Sequence, residues 1–191
     1  LNGQDVKSLS HDTLTRRVGV VQQKSVLFQG SIRDNLKWGD EAASDGDLWA
    51  ALDTAQGSEV VEKKDGRLDF KLEQNGRNLS GGQKQRLSIA RTLVKRPEIL
   101  ILDDSSSALD FATDAALRRA IHKLEGSVTT FLVSQRIACV RSADQILVMD
   151  NGALVGRGTH DQLMQSCGVY RGIYYSQFPE EKPADYEEGS V

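Results

Sequence analysis

The sequence predicts an α/β fold with a mostly parallel sheet at its core. Three observations carry this. Ile99-Leu100-Ile101-Leu102 is a continuous apolar run bounded by charge, the pattern of a strand buried on both faces of a parallel sheet. Gln83 to Lys95 and Ala112 to Leu124 each carry an apolar stripe at helical spacing. Strand-like and helix-like stretches then alternate along the chain, as β–α–β units do.

In order, Arg17 to Val21 reads as a short strand ending at Gln22-Gln23. Lys24 to Gly39 reads as a loop with a short helix around Ile32–Leu36. Asp47 to Gln56 and Ser58 to Lys64 read as short helices, the first with Leu48, Ala51 and Leu52 at helical spacing. Asp65 to Asn78 is polar and punctuated by glycine. In Gln83 to Lys95 the stripe is Leu87, Ala90, Leu93 and Val94, and Lys95-Arg96 followed by Pro97 ends the helix. Leu117, Ala120, Ile121 and Leu124 line one face of the next helix, and Gly126 follows it. Thr129 to Val133 is a second strand, with a short helix near Ile137–Val140. Gln145–Met149 and Ala153–Val155 flank Asp150-Asn151-Gly152, a hairpin turn signal. His160–Ser166 and Val169–Gln177 close the fold as helices. His122 and His160 read as surface or capping residues.

At 191 residues, 39% hydrophobic and 27% charged, the chain suits one domain with a real core. No apolar run reaches the ~18 residues that span a bilayer. Cys139 and Cys167 are too few for a disulfide framework and lack metal-ligand spacing. The net charge of −3 is unevenly placed. Residues 179–191 hold five carboxylates against Lys182, which leaves the remainder at +1. That acidic stretch, with Pro179, Pro183 and Gly189, reads as a disordered tail. The near-neutral body gives no footprint for nucleic acid. The chain starts at Leu1 rather than Met, so a piece of a longer protein is expected.

Leu79-Ser80-Gly81-Gly82-Gln83 stands directly before the strongest helix. Backbone N–H groups with no side chain in the way, a hydroxyl and the positive end of a helix dipole together make an anion site. A Gly-rich turn that only caps a helix shares the pattern. A chance match to these five residues arises in about one of several thousand chains this long, so the motif counts by itself. At the end of the predicted strand Ile99–Leu102 stand Asp103 and Asp104. Ligands of open α/β sheets bind at such carboxyl ends.

With these residues the chain resembles the ATP-binding cassette (ABC) ATPases over residues 1 to about 178. Leu79–Gln83 matches their signature motif, Ile99–Asp104 the Walker B strand, and Ser107-Ala108-Leu109-Asp110 the D-loop. The resemblance implies a P-loop NTPase-like domain with a helical subdomain at about 34–96, ATP and Mg²⁺ as cofactors, and Asp103 helping to hold the metal. Ser80, Gly81, Gly82, Gln83 and Asp110 would bind nucleotide. Gln23 matches the Q-loop glutamine that touches metal or water; the residues alone do not choose it over Gln22, and the family register does. Phe28, Gly30–Arg33 and Asn35-Leu36 look like the companion segment of exporters, and Glu73–Gly76 sits where those carry a coupling loop.

Three departures matter. Asp104 stands where most active members carry the catalytic Glu, and Gln135 where they carry the switch His. No Gly-x-x-x-x-Gly-Lys-Ser/Thr loop occurs in these 191 residues, although that loop and its Lys cradle the phosphates of P-loop NTPases. Asp104 with Gln135 resembles the degenerate-site subunit of heterodimeric bacterial multidrug exporters. That implies an ATPase at the cytoplasmic face of the plasma membrane. Its partners would be a transmembrane domain of the same transporter and a second, different nucleotide-binding domain whose site this signature completes. The isolated fragment would hydrolyse nothing. The alternatives are a soluble, non-transport ABC ATPase and a non-hydrolysing regulatory remnant.

Overall fold

The computed structural model describes residues 1–105, 108–124 and 128–184. The chain forms two units, Leu1–Val133 and Ser134–Val191, each with its own apolar cluster. In the first unit α1 (His11–Arg17) leads into β1 (Val18–Val21). There follow β2 (Gly30–Ser31), α2 (Ile32–Lys37), α3 (Asp45–Thr54), α4 (Ser58–Glu62) and β3 (Lys71–Leu72). The unit ends with α5 (Gly81–Val94), β4 (Ile99–Asp103), α6 (Phe111–His122) and β5 (Thr129–Val133).

The sheet runs β1-β4-β5, all parallel, with Val20, Ile101 and Phe131 in one row. Side chains alternate across a strand, so Leu100 and Leu102 point to one face and Ile99 and Ile101 to the other. Only the first face is sealed. Leu100, Leu102 and Val21 are buried with Leu87, Ile89, Ala90 and Leu117. On the other face Val20, Phe131 and Val133 are 50%, 51% and 53% exposed, and Ile99 and Ile101 are half-buried. The expectation that Ile99–Leu102 is buried on both faces is thus met on one face only: on the second, Ile99 and Ile101 are half-buried.

Helix starts fall earlier than apolar spacing suggests, because polar caps set them. Ser44 caps α3 in a capping box with Asp47, and Ser80 caps α5 in one with Gln83. Spacing found Asp47 and Gln83, each the third helical residue of its box. The α1 helix was not expected: it is short and polar, and Ser10 starts it by accepting the Thr13 N–H. Lys71–Leu72 pairs with Gly30–Ser31, so the polar stretch 65–78 returns to the sheet-like edge at β2. Arg33 on α2 ties this part together by bonding Asp69 (Nε to Oδ1, 2.9 Å) and Asp45. Those carboxylates, Asp69 foremost, hold the guanidinium protonated beyond its ordinary range.

Helices α2 and α5 pack so closely at Gly39 that a β-carbon there would lie 2.1 Å from the Arg91 carbonyl oxygen. Backbone cannot give way as a side-chain tip can. Gly39→Ala is therefore expected to destabilise the chain by about 2–3 kcal/mol, a fall of roughly 5–10 °C in melting temperature. Thermal unfolding followed by circular dichroism checks this; an unchanged melting temperature refutes the close approach.

In the second unit α7 (Ile137–Val140) is followed by β6 (Ile146–Asp150), β7 (Ala153–Gly158), α8 (His160–Ser166) and α9 (Gly168–Gln177). The β6–β7 hairpin is antiparallel. Asn151 and Gly152 both take positive φ, 46° and 79°, as a tight two-residue turn requires. Ile146, Val148, Leu163, Tyr170 and Tyr174 make the core. His160 is half-buried and not a plain surface residue: its Nδ1 lies 2.9 Å from the Tyr170 hydroxyl. Of the acidic stretch 179–191, Pro179–Glu181 form a turn, and the Tyr174 hydroxyl donates to Glu181. Residues 185–191 lie outside the described residues, as do Ser107 and Gly126.

Candidate functional site

The site residues of the first unit gather in two groups. The first stands at the carboxyl end of the parallel sheet. Here β4 ends at Asp103, an exposed residue in register with Val133 and therefore on the open face of the sheet. The chain then turns sharply at Asp104, whose φ is 42° and whose N–H donates to the Val133 carbonyl at 2.9 Å. Asp is among the few side chains enriched in that left-handed region. The turn brings its carboxylate to Gln23 just past β1: Gln23 Nε2 donates to Asp104 Oδ2 at 2.9 Å. Of the two glutamines, Gln23 is the one whose side chain meets Asp104. Gln22 instead lines a small hollow of about 120 Å³ with Val20, Lys24, Val26, Ser88 and Arg91.

The second group is the start of α5. Ser80 Oγ accepts from Gln83 N–H at 3.3 Å, and Gln83 Oε1 accepts from Ser80 N–H at 3.0 Å. This reciprocal pair fixes the cap. It leaves the N–H groups of Gly81 and Gly82 without a partner among the described residues, at the positive end of a 14-residue helix. Both glycines abut the loop after β4. A β-carbon on Gly82 would lie 3.0 Å from the Ala108 carbonyl oxygen, and one on Gly81 3.9 Å from the Ala108 β-carbon. So the Leu79–Gln83 segment and the loop that leads to Asp110 are packed together.

Asp110 is the cap of α6. Its Oδ1 accepts from Thr113 N–H at 2.9 Å and its Oδ2 from the Thr113 hydroxyl at 2.7 Å. The backbone N–H of Thr113, and then its hydroxyl, hold the carboxyl below the usual carboxylate range. Gln135 is the second residue of the second unit. Its carbonyl accepts from Gln177 Nε2 at 2.7 Å, and Gln177 Oε1 accepts the Ile137 N–H at 2.9 Å.

Two features were missed in the sequence. Phe28 and Trp38 stack with ring centroids 4.2 Å apart, Trp38 is 67% exposed, and the Arg91 guanidinium lies 5.8 Å from the Phe28 ring. The second is Gln85, a buried amide on α5 bonded to Ser25. An aromatic ten residues from another gives no periodic signal. Gln85 does give one: with Ser88 and Thr92 it forms a polar stripe at helical spacing that is buried.

The comparisons with known proteins give the family. The family model described as ABC transporter matches residues 1–107. The chain is 42% identical over 181 residues to the ABC transporter ATP-binding protein YfiB of Bacillus subtilis (strain 168), covering 95% of this chain and 31% of that protein. It is 41% identical over 178 residues to the beta-(1-->2)glucan export ATP-binding/permease protein NdvA of Rhodopseudomonas palustris (strain ATCC BAA-98 / CGA009), covering 93% of this chain and 30% of that protein. The solved structure of a bacterial Atm1-family ABC exporter with ATP bound superposes with a TM-score of 0.88 at 34% identity, over 92% of this chain and 31% of that one. The chain thus spans about a third of the length of these relatives. With its α/β core and the sheet-end carboxylates in place, the chain belongs to the ABC transporter family and has the fold of that family's ATP-binding domain.

Proposed function

We propose that this chain binds and hydrolyses ATP to power export of a substrate across a membrane. It does so at the cytoplasmic face of the plasma membrane, beside a transmembrane domain and a second, different nucleotide-binding domain. The observation that carries the reading is the contact of Gln23 with Asp104, next to Asp103, at the carboxyl end of a parallel strand. The donor set suits Mg²⁺. Among the described residues no three His, Cys, Asp or Glu side chains cluster to enclose an ion. A metal that keeps its waters and takes one or two carboxylates with phosphate oxygens needs no such cage. Bound there, Mg²⁺ neutralises charge on the transferring phosphoryl group. Asp103 would help to hold the metal, Asp104 and Gln23 would face the attacking water, and Gln135 would offer a neutral amide in place of the switch His, which could share positive charge.

This set makes a weak site. Asp104 is one methylene shorter than the Glu of most active members and is engaged by Gln23. The α5 start keeps its Ser80–Gln83 capping box, with Gly81 and Gly82 as the first two helical residues. The division of labour follows: Ser80, Gly81, Gly82 and Gln83, with Asp110 in the neighbouring loop, complete the competent site of the second domain. Two surfaces support the partners. The exposed Phe28–Trp38 stack is the kind of aromatic patch that seats another protein, here the transmembrane domain. The open apolar sheet face of Val20, Phe131 and Val133 is where a parallel sheet needs cover, and it suits the helix that follows a phosphate-cradling loop.

The 191-residue chain alone is expected to hydrolyse no ATP, whereas the full-length subunit with its partner domain turns ATP over and stops when Mg²⁺ is chelated. Phosphate release measures both. More than about one turnover per minute by the chain alone, against a typical ~10 per second, refutes the missing-cradle argument. Turnover by the pair that persists in chelator refutes the metal role.

A further inference from the structure

The loop between β1 and β2 is stapled to three different elements. Gln23 Nε2 donates to Asp104 at the end of β4. The Ser25 hydroxyl donates to Gln85 Oε1 on α5. Phe28 N–H donates to Asn35 Oδ1 on α2 at 2.8 Å, and Asn35 Nδ2 returns a bond to the Phe28 carbonyl at 2.9 Å. The middle staple differs from the others in one respect. Gln85 is 2% exposed, and its Nε2 has no hydrogen-bond partner among the described residues. A buried amide donor left unmatched is costly, and an apolar side chain of the same length would pack this helix without that cost.

We infer that Ser25 and Gln85 are positioning residues that set the register between the Gln23 loop and the signature helix, so that events at this chain's own ATP site are transmitted to the site its signature completes. Only Lys24 stands between Gln23 and Ser25, a span of at most ~7 Å. When Gln23 leaves Asp104, the loop has too little slack to move without pulling on Ser25. Gln85 lies five residues after Ser80, about 7.5 Å along a rigid helix. A pull on Gln85 therefore reaches the Ser80–Gln83 cap directly. The vacant Nε2 of Gln85 gives the amide a second bonding state once Ser25 shifts.

The inference rests on the division of labour proposed above, and the test separates the two. In the full-length subunit with its partner, Ser25→Ala and Gln85→Met are each expected to lower kcat about twofold to tenfold, the rate equivalent of one hydrogen bond. KM for ATP is expected to stay within about twofold; the melting temperature of Gln85→Met should hold or rise, since it removes an unmatched donor, whereas that of Ser25→Ala should fall, since it leaves the buried Gln85 amide without its partner. Ser25→Thr, which keeps the hydroxyl, should retain the rate. The double variant should match the slower single one, because both remove the same bond. Amide hydrogen exchange over residues 22–28 should quicken in Gln85→Met even without nucleotide. An unchanged kcat in Ser25→Ala, losses that multiply in the double variant, or exchange unaltered in Gln85→Met overturns the coupling. Turnover retained by Ser80→Arg overturns instead the shared-site reading, and with it the inferred destination of the signal.

Discussion

Ser80→Arg in the full-length subunit is expected to cut ATP turnover of the domain pair at least about 10²-fold, although it alters neither Asp103 nor Asp104. The size follows from two losses. Removing one hydrogen-bond donor aimed at developing charge typically costs about 10²–10³-fold. An Arg at the start of α5 also sets a bulky cation beside Gly81 and Gly82, at the end of the helix where positive charge is already unfavourable. The structural cost is smaller and separable. Ser80 Oγ caps the helix through Gln83 N–H, and losing such a cap costs about 1 kcal/mol. Ser80→Ala makes that loss without the cation, so it calibrates the stability effect. Steady-state phosphate release and melting temperatures of wild type, Ser80→Ala and Ser80→Arg decide the matter. Turnover by the Ser80→Arg variant close to that of wild type would mean that the helix start only caps, and that the shared-site reading is wrong.

What was legible in the sequence follows from which forces are local. Apolar spacing located α5, α6 and the strands β4 and β5, because burial of one stripe or run dominates those segments. Asn151-Gly152 announced its hairpin, because only a few residues accept two successive positive φ angles. The family came from short, chemically constrained stretches around Gly81-Gly82 and Asp103-Asp104, and the comparison over residues 1–107 bears it out. Less was legible where long-range contact decides. Nothing near Gln22-Gln23 says which amide meets Asp104; a turn 81 residues later at φ 42° does. Helix starts slipped by two residues because the capping Ser contributes no apolar signal. The strand β4 read as buried on both faces because Ile99-Leu100-Ile101-Leu102 is apolar throughout. Which polypeptide seals the second face is not encoded in the strand itself. Gln85 escaped notice because a helix stripe is read from its apolar members, and its amide matters only through Ser25, 60 residues earlier.

Asp104→Glu combined with Gln135→His is expected to switch on this chain's own site. The measurement is ATP turnover of the full-length pair in which the partner's catalytic acid has been removed, so that its site is silent. In that background the double substitution should raise turnover about 10²-fold, the scale on which a misplacement of the order of 1 Å acts. The proposed roles of the two residues are why both changes are expected to be needed. Asp104 sits in a left-handed turn, with its Oδ2 2.9 Å from Gln23 Nε2. One added methylene carries the carboxylate past that contact. It releases Gln23 and puts the base within hydrogen-bond reach of a water that Asp does not reach. On the reading proposed above, a base alone would not suffice, because a neutral amide such as that of Gln135 cannot share developing negative charge. A His in that place can carry a proton near neutral pH. Each single substitution is therefore expected to fall well short of the pair, and the excess of the double over their product measures the cooperation. Turnover that stays at background in the double variant would show that residues other than Asp104 and Gln135 silence the site. A gain equal in Asp104→Glu alone would show that Gln135 takes no part in it.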